Sequence, residues 1–182
     1  MSLKDATPET IEKIKDTVRY VMRTYPERDL KQVLRVTTAS LLAEQKVAEH
    51  MEGQYYSGEE NLDEPFTYAF DVLSNIKYQG LRLEVKCSFS GKWINVRDRT
   101  RPSHTGINLD SFYMHEVADL LVVFRTIETE TNTFYYDLGV ICTREMLAPS
   151  AGLVHKGQKG TWYMHKSFND NDAPFFYSKG KI

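Results

Sequence analysis

The stretches Phe70-Asp71-Val72 and Leu81-Arg82-Leu83-Glu84-Val85-Lys86 decide how this chain is read. Polar residues and Gly80 between them mark a turn region, so the whole reads as a β-hairpin. Side chains alternate faces along a strand, which puts Glu84 and Lys86 on one face and Leu83 and Val85 on the other. Phe70 and Val72 flank Asp71 in the same way and leave it opposite its apolar neighbours. Two carboxylates and an ammonium then line one side of one ribbon, a set suited to metal-assisted phosphodiester hydrolysis. The competing account is a surface hairpin with a charged, solvated face, because Glu and Lys alternate with aliphatics on many half-buried strands.

Glu44 is the residue that weighs against that account. From about Gln32 to Met51 the spacing of Val33, Leu34, Leu41, Ala48 and Met51 predicts a helix with one apolar stripe. At about 100° per residue Glu44 falls near the middle of the stripe, whereas Lys46 and Glu49 fall outside it. A carboxylate turned toward a core is costly unless it is paired or bound to a cation. Lys86 or Arg82 could be its partner in a purely structural pair.

With Phe70-Asp71 followed by Leu81-Arg82-Leu83-Glu84-Val85-Lys86, the chain resembles the PD-(D/E)XK superfamily, the restriction-endonuclease-like nucleases, although Phe70 stands where the family name has proline. The resemblance implies an α/β fold, a mixed β-sheet flanked by helices in a single domain. Its core would cover about residues 35–147, with an N-terminal helix at 8–25 and a basic, aromatic C-terminal extension at 150–182. Asp71 and Glu84 would hold Mg2+, or Mn2+ in its place, helped by the backbone carbonyl of Val85. Lys86 would hydrogen-bond the attacking water or the pentacovalent phosphate, and Glu44 would bind a second ion directly or through water. The implied activity is endonucleolytic cleavage of double-stranded DNA, as a type II restriction enzyme or as a phage or repair nuclease. One site per chain makes a homodimer the simplest way to cut both strands. A non-catalytic nucleic-acid-binding or assembly protein that keeps the fold is the alternative reading, and an interaction module with a merely exposed hairpin is a third.

Composition sets the outer limits. At 182 residues the chain is long enough to bury one substantial core, and 41% hydrophobic with 12% aromatic residues is ordinary for a soluble globular protein. A charged fraction of 26%, with no long apolar run and no secretory signal, argues against a membrane protein and makes the cytoplasm the default location. Cys87 and Cys142 are too few for a zinc site or a disulfide framework and read as reduced core thiols. The net charge of -2 divides unevenly: residues 1–64 carry nine Lys or Arg against thirteen Asp or Glu, and residues 65–182 carry fourteen against twelve. Positive charge therefore gathers in the half that holds the hairpin.

Along the chain, Thr7-Pro8-Glu9 is a helix start, followed by Ile11, Ile14, Val18, Val21 and Tyr25 at helical spacing until Pro26. Residues 57–65 form an acidic, solvated loop. Strands are expected near 67–74, 80–87, 92–97, 118–125 and 134–142, with a turn at Glu128 to Thr133 and a short helix over Thr143 to Leu147. The nearly continuous apolar run from Ala118 to Phe124 suits a strand covered on both faces, and Asp119 at its start reads as a structural carboxylate. His115-Glu116 lacks the second histidine of a zinc-protease helix, and Gly157-Gln158-Lys159-Gly160-Thr161 lacks both the phosphate-loop framework and a preceding strand, so it reads as a basic turn.

Two segments are candidates for substrate contact. Lys92, Arg97, Arg99, Arg101 and His104 follow the Glu-x-Lys strand directly, with Asn108 as a group that can read a base edge. A solvated arginine-rich loop is the competing account. From Lys156 to Ile182 five lysines face two aspartates among six aromatics, a density that usually signals packing or dimer contact, with single-strand stacking as the other use.

Overall fold

The computed structural model describes residues 1–55, 70–89, 94–96, 107, 109, 112, 117–147, 153–156 and 162–164. Two helices open the chain, α1 (Pro8–Thr24) and α2 (Leu30–His50). The Thr7 hydroxyl accepts the Thr10 N–H at 3.1 Å and Asp29 accepts the Lys31 N–H at 2.9 Å, so each helix begins at a side chain able to satisfy an orphan donor.

Among the described residues the strands are β1 (Gln54–Tyr55), β2 (Val72–Leu73), β3 (Arg82–Ser88), β4 (Ile94–Val96), β5 (Leu120–Glu130), β6 (Thr133–Cys142), β7 (Val154–Lys156) and β8 (Trp162–Met164). One sheet runs β1-β2-β3-β5-β6 and a smaller one β4-β8-β7. The β3–β5 pair is parallel and the other pairs are antiparallel, so the larger sheet is mixed. Together with the two helices this is an α/β architecture, as expected.

The layers follow from alternation along β3 and β5. Val72, Leu83, Val85, Val122 and Phe124 share one face, where Ala39, Leu42, Ala43 and Val47 of α2 cover them. Leu42 is fully buried, and each such side chain contributes roughly 1.5–3 kcal/mol through the water it excludes. Helix α1 packs on the outer side of α2. Leu121, Val123, Val140 and Cys142 point to the other face and join Ile94, Val96 and Met164 of the smaller sheet. At Gly139 the β5–β6 register shifts, and a Cβ there would sit 2.7 Å from Ile94 Cδ1. Only a residue without a side chain lets the two sheets meet this closely.

Several expectations need correction. Of the strand expected at 67–74, the described part is Val72–Leu73 alone, and Asp71 lies just before it rather than within it. The turn between the two long strands is tighter than Glu128 to Thr133, because pairing continues to Glu130↔Thr133 and Asn132 takes a left-handed conformation at φ 55. The short helix after β6 is a 3-10 turn at Glu145–Leu147. Residues 150–182 are not simply an extension: their described part forms β7 and β8, which complete the smaller sheet with β4. A strand does precede residues 157–161, since β7 runs to Lys156, which pairs with Trp162 of β8. The acidic loop at 57–65 lies outside the described residues. No described helix is long and apolar enough to cross a membrane.

Candidate active site

Strands β2 and β3 meet with Val72 opposite Leu83 and Leu73 opposite Arg82, and Asp71 lies one residue before that pairing, against the backbone of β3. The Asp71 N–H donates to the Leu83 carbonyl at 2.9 Å, and the Val85 N–H donates to Asp71 Oδ2 at 2.6 Å. The Asp71 carboxylate thus takes the place of the next rung of the ladder. A residue's N–H and C=O project to the same side of a strand, so the Val85 carbonyl is directed toward the edge that Asp71 occupies.

Glu84 and Lys86 point away from α2, on the face of Leu121 and Val123, their parallel partners on β5. The Lys86 ammonium donates to Glu84 Oε1. Glu84 is 2% exposed and Glu44 6% exposed, so two carboxylates are withdrawn from water, and both act on the Lys86 ammonium. Burial by itself would lower the Lys86 pKa. The attraction of Glu84, Asp71 and Glu44, with the hydrogen bond to Glu84, outweighs it and raises the pKa well above the usual lysine value. Lys86 is therefore a fixed cation through the neutral range, able to donate a hydrogen bond but not to act as a base.

All four side chains expected from the sequence are thus brought within one electrostatic neighbourhood. Their arrangement differs from the expectation in one respect: among the described residues, no three His, Cys, Asp or Glu side chains form a group ready to hold a metal ion. Instead an ammonium stands among the acids. Two carboxylates from adjacent strands and a backbone carbonyl are nonetheless an all-oxygen donor set, the chemistry that Mg2+ takes while keeping several of its waters. By its chemistry this donor set fits a hard divalent cation.

Behind this cluster, the Ala39 carbonyl of α2 accepts the Tyr136 hydroxyl at 2.7 Å and lies 3.6 Å from the Cys87 sulfur. Burial raises the Cys87 thiol to about 12, as it does the Cys142 thiol, which agrees with reading both as inert core residues. Neither tyrosine nor thiol could be singled out from the sequence, since a β-strand Tyr or Cys is ordinary core material.

Arg82 is not the partner of Glu44. It forms a forked pair with Asp119, with Nε 3.0 Å from Oδ2 and Nη2 2.7 Å from Oδ1, while its N–H donates to Oδ2 at 2.8 Å. The Asp119 N–H returns a bond to the Arg82 carbonyl at 2.8 Å, so this pair fastens the start of β5 to β3. The Arg82 hydrogen bond holds the Asp119 carboxyl below its ordinary value of 3.8. A depressed folded-state pKa gives stability that is present above the unfolded value and lost as pH falls through the folded one. Asp119→Asn should therefore lower the melting temperature at pH 7 and flatten its decline below about pH 4. Parallel melting curves for variant and wild type across that range would refute the structural role of Asp119.

Lys92, Arg97, Arg99, Arg101, His104 and Asn108, the expected substrate contacts, lie outside the described residues.

Comparison with known proteins places this geometry in context. The family model described as "Bacteriophage T4 endonuclease IV" matches residues 1–166. Endonuclease IV of Enterobacteria phage T4 is 36% identical over 168 residues, covering 90% of this chain and 89% of that protein. No solved structure matches the chain.

Proposed function

From its membership of the bacteriophage T4 endonuclease IV family, we propose that this chain is a metal-dependent endonuclease that hydrolyses DNA phosphodiester bonds with a restriction-endonuclease-like site. The observation that carries the reading is the Asp71 carboxylate bonded to the Val85 N–H of β3, with Glu84 and the Lys86 ammonium one residue to either side of that bond. Asp71, Glu84 and the Val85 carbonyl would hold Mg2+, or Mn2+ in its place, with Glu44 acting through water. The ion would supply charge neutralisation at phosphorus and a water of lowered pKa.

The residues of the chain divide the remaining work. Lys86, permanently charged, would hydrogen-bond a phosphate oxygen or the incoming water, which places positive charge where negative charge develops. The bond from the Val85 N–H holds the Asp71 carboxylate in place beside Glu84 and Lys86, which limits the reorganisation that binding an ion would require. Glu44, withdrawn from water, would keep the pocket acidic enough to attract a cation despite the nearby lysine. Similarity to a phage enzyme favours a phage nuclease over a type II restriction enzyme. Cleavage of both strands of a duplex would follow most simply from a homodimer.

The experiment is incubation of plasmid and of single-stranded DNA with the full chain and Mg2+ or Mn2+, with and without EDTA. Cleavage that EDTA stops supports the reading. Intact DNA across metals and buffers, with chelator-insensitive binding, would instead favour a DNA-binding protein that keeps the fold without turnover.

A further inference from the structure

The catalytic face does not end at Lys86. The last pairing between β3 and β5 is Ser88↔Arg125, so residues 126–136 continue beyond it as a ribbon of β5 and β6, which Ser2 joins at the β6 edge through a bridge to Thr133. On the face shared with Glu84, Lys86 and Ser88, alternation places Arg125 and then Ile127 on β5, with Asp137 and Tyr135 opposite them on β6. Arg125 Nη2 is 3.2 Å from Asp137 Oδ2, with both side chains about nine-tenths buried, while the buried Arg125 Nε makes no hydrogen bond. Ile127 and Tyr135, direct cross-strand partners, are 48% and 59% exposed.

We propose that this ribbon face is a nucleotide-binding subsite for the strand being cut, with the Tyr135 ring and Ile127 forming a platform for a base and Arg125 drawing a backbone phosphate. The proposal rests on the nuclease reading above and extends it to substrate contact. Continuity is its main support. At about 3.3 Å per residue and 4.8 Å per strand, the platform lies roughly 15 Å from Lys86 on the same face of the sheet, past the buried Ser88 and Arg125, a distance of two to three nucleotides. The second support is the donor capacity of Arg125 beyond its pair with Asp137, since a guanidinium carries five donors and suits phosphate. The platform is also held firmly from behind, where Arg35 of α2 pairs with Glu128 on the opposite face of the ribbon. Glu130 near the tip would repel a phosphate, which favours contact through the ring rather than through the tip.

The test measures binding of fluorescein-labelled single-stranded and duplex oligonucleotides to the full chain in EDTA, beside cleavage of the same DNA in Mg2+. Tyr135→Ala should weaken binding about tenfold, in the range of one lost base stack, while Tyr135→Phe binds like wild type. Greater loss on the single strand would identify an unpaired base as the occupant, and equal loss on both would identify the edge of a duplex. Arg125→Gln/Asp137→Asn leaves the net charge unchanged, yet should reduce the salt dependence of binding by about one phosphate contact. Wild-type binding and salt dependence in these variants, with only a lower melting temperature, would overturn the subsite and leave the pairs as cross-strand stabilisers. Wild-type protein that cuts DNA while Tyr135→Ala changes nothing would overturn this inference alone. Wild-type protein that neither cuts nor binds would overturn the nuclease reading and this inference with it.

Discussion

Asp71→Asn should leave the protein folded and remove its cleavage of DNA. The amide oxygen can still accept the Val85 N–H that now bonds Asp71 Oδ2 at 2.6 Å, so the local ladder survives with a weaker, uncharged acceptor. The expected loss of stability is about 1 kcal/mol. Cleavage should fall by about a thousandfold, the kinetic equivalent of roughly 4 kcal/mol, because a negative ligand is replaced by a neutral one at nearly constant volume. Thermal melting and a plasmid nicking assay together check this. A variant that cuts like wild type would remove Asp71 from the active site even if the family assignment held.

The second large effect is on stability. Lys86→Met deprives Glu84, whose side chain is only 3% exposed, of the ammonium that bonds it. Breaking one side of a buried pair typically costs 3–5 kcal/mol, so the variant should melt far below wild type or fail to fold at 25 °C, and any folded fraction should be inactive. Glu84→Gln in the same chain removes the stranded charge and should recover most of the loss, with no recovery of cleavage. In the wild type, the raised Lys86 pKa means that this contribution is complete below the unfolded lysine value and lost only as pH rises through the higher folded value. Its contribution should thus be constant from pH 5 to pH 9 or so. Denaturant titrations of the three proteins decide the matter. A single variant as stable as wild type would show that Glu84 finds another partner or reaches water.

These two residues show how much of the site is legible in a sequence and why. Glu84 and Lys86 were legible as neighbours because β3 alternates with a period of two and Leu83 and Val85 fix which face is apolar, whereas Asp71 precedes β2 and meets β3 through its carboxylate instead of through alternation. Glu44 was legible because helical periodicity places it among Leu41, Ala48 and Val33, and it is indeed buried on α2. What periodicity could not supply was the pairing between charges. Lys86 and Arg82 both stood as candidate partners of Glu44, yet Arg82 turns to Asp119, thirty-seven residues along the chain, because the parallel β3–β5 pairing sets those two side by side. The smaller sheet was illegible for a related reason. Strands β7 and β8 have three residues each, too few for alternation to register, and β8 finds β4 across a long intervening segment. The precedence of an ammonium over a three-carboxylate cage is likewise a matter of side-chain placement, which residue spacing alone does not fix.

The most direct measurement is anomalous diffraction from crystals of the full chain soaked in Mn2+, an ion that scatters strongly and replaces Mg2+ at oxygen sites. The account expects a peak between the carboxylates of Asp71 and Glu84, about 2.0–2.3 Å from an oxygen of each, and its disappearance in Asp71→Asn. A protein that cleaves DNA in Mn2+ but shows the ion elsewhere, with Asp71 still bonded to the Val85 N–H and Glu84 to the Lys86 ammonium, would contradict it.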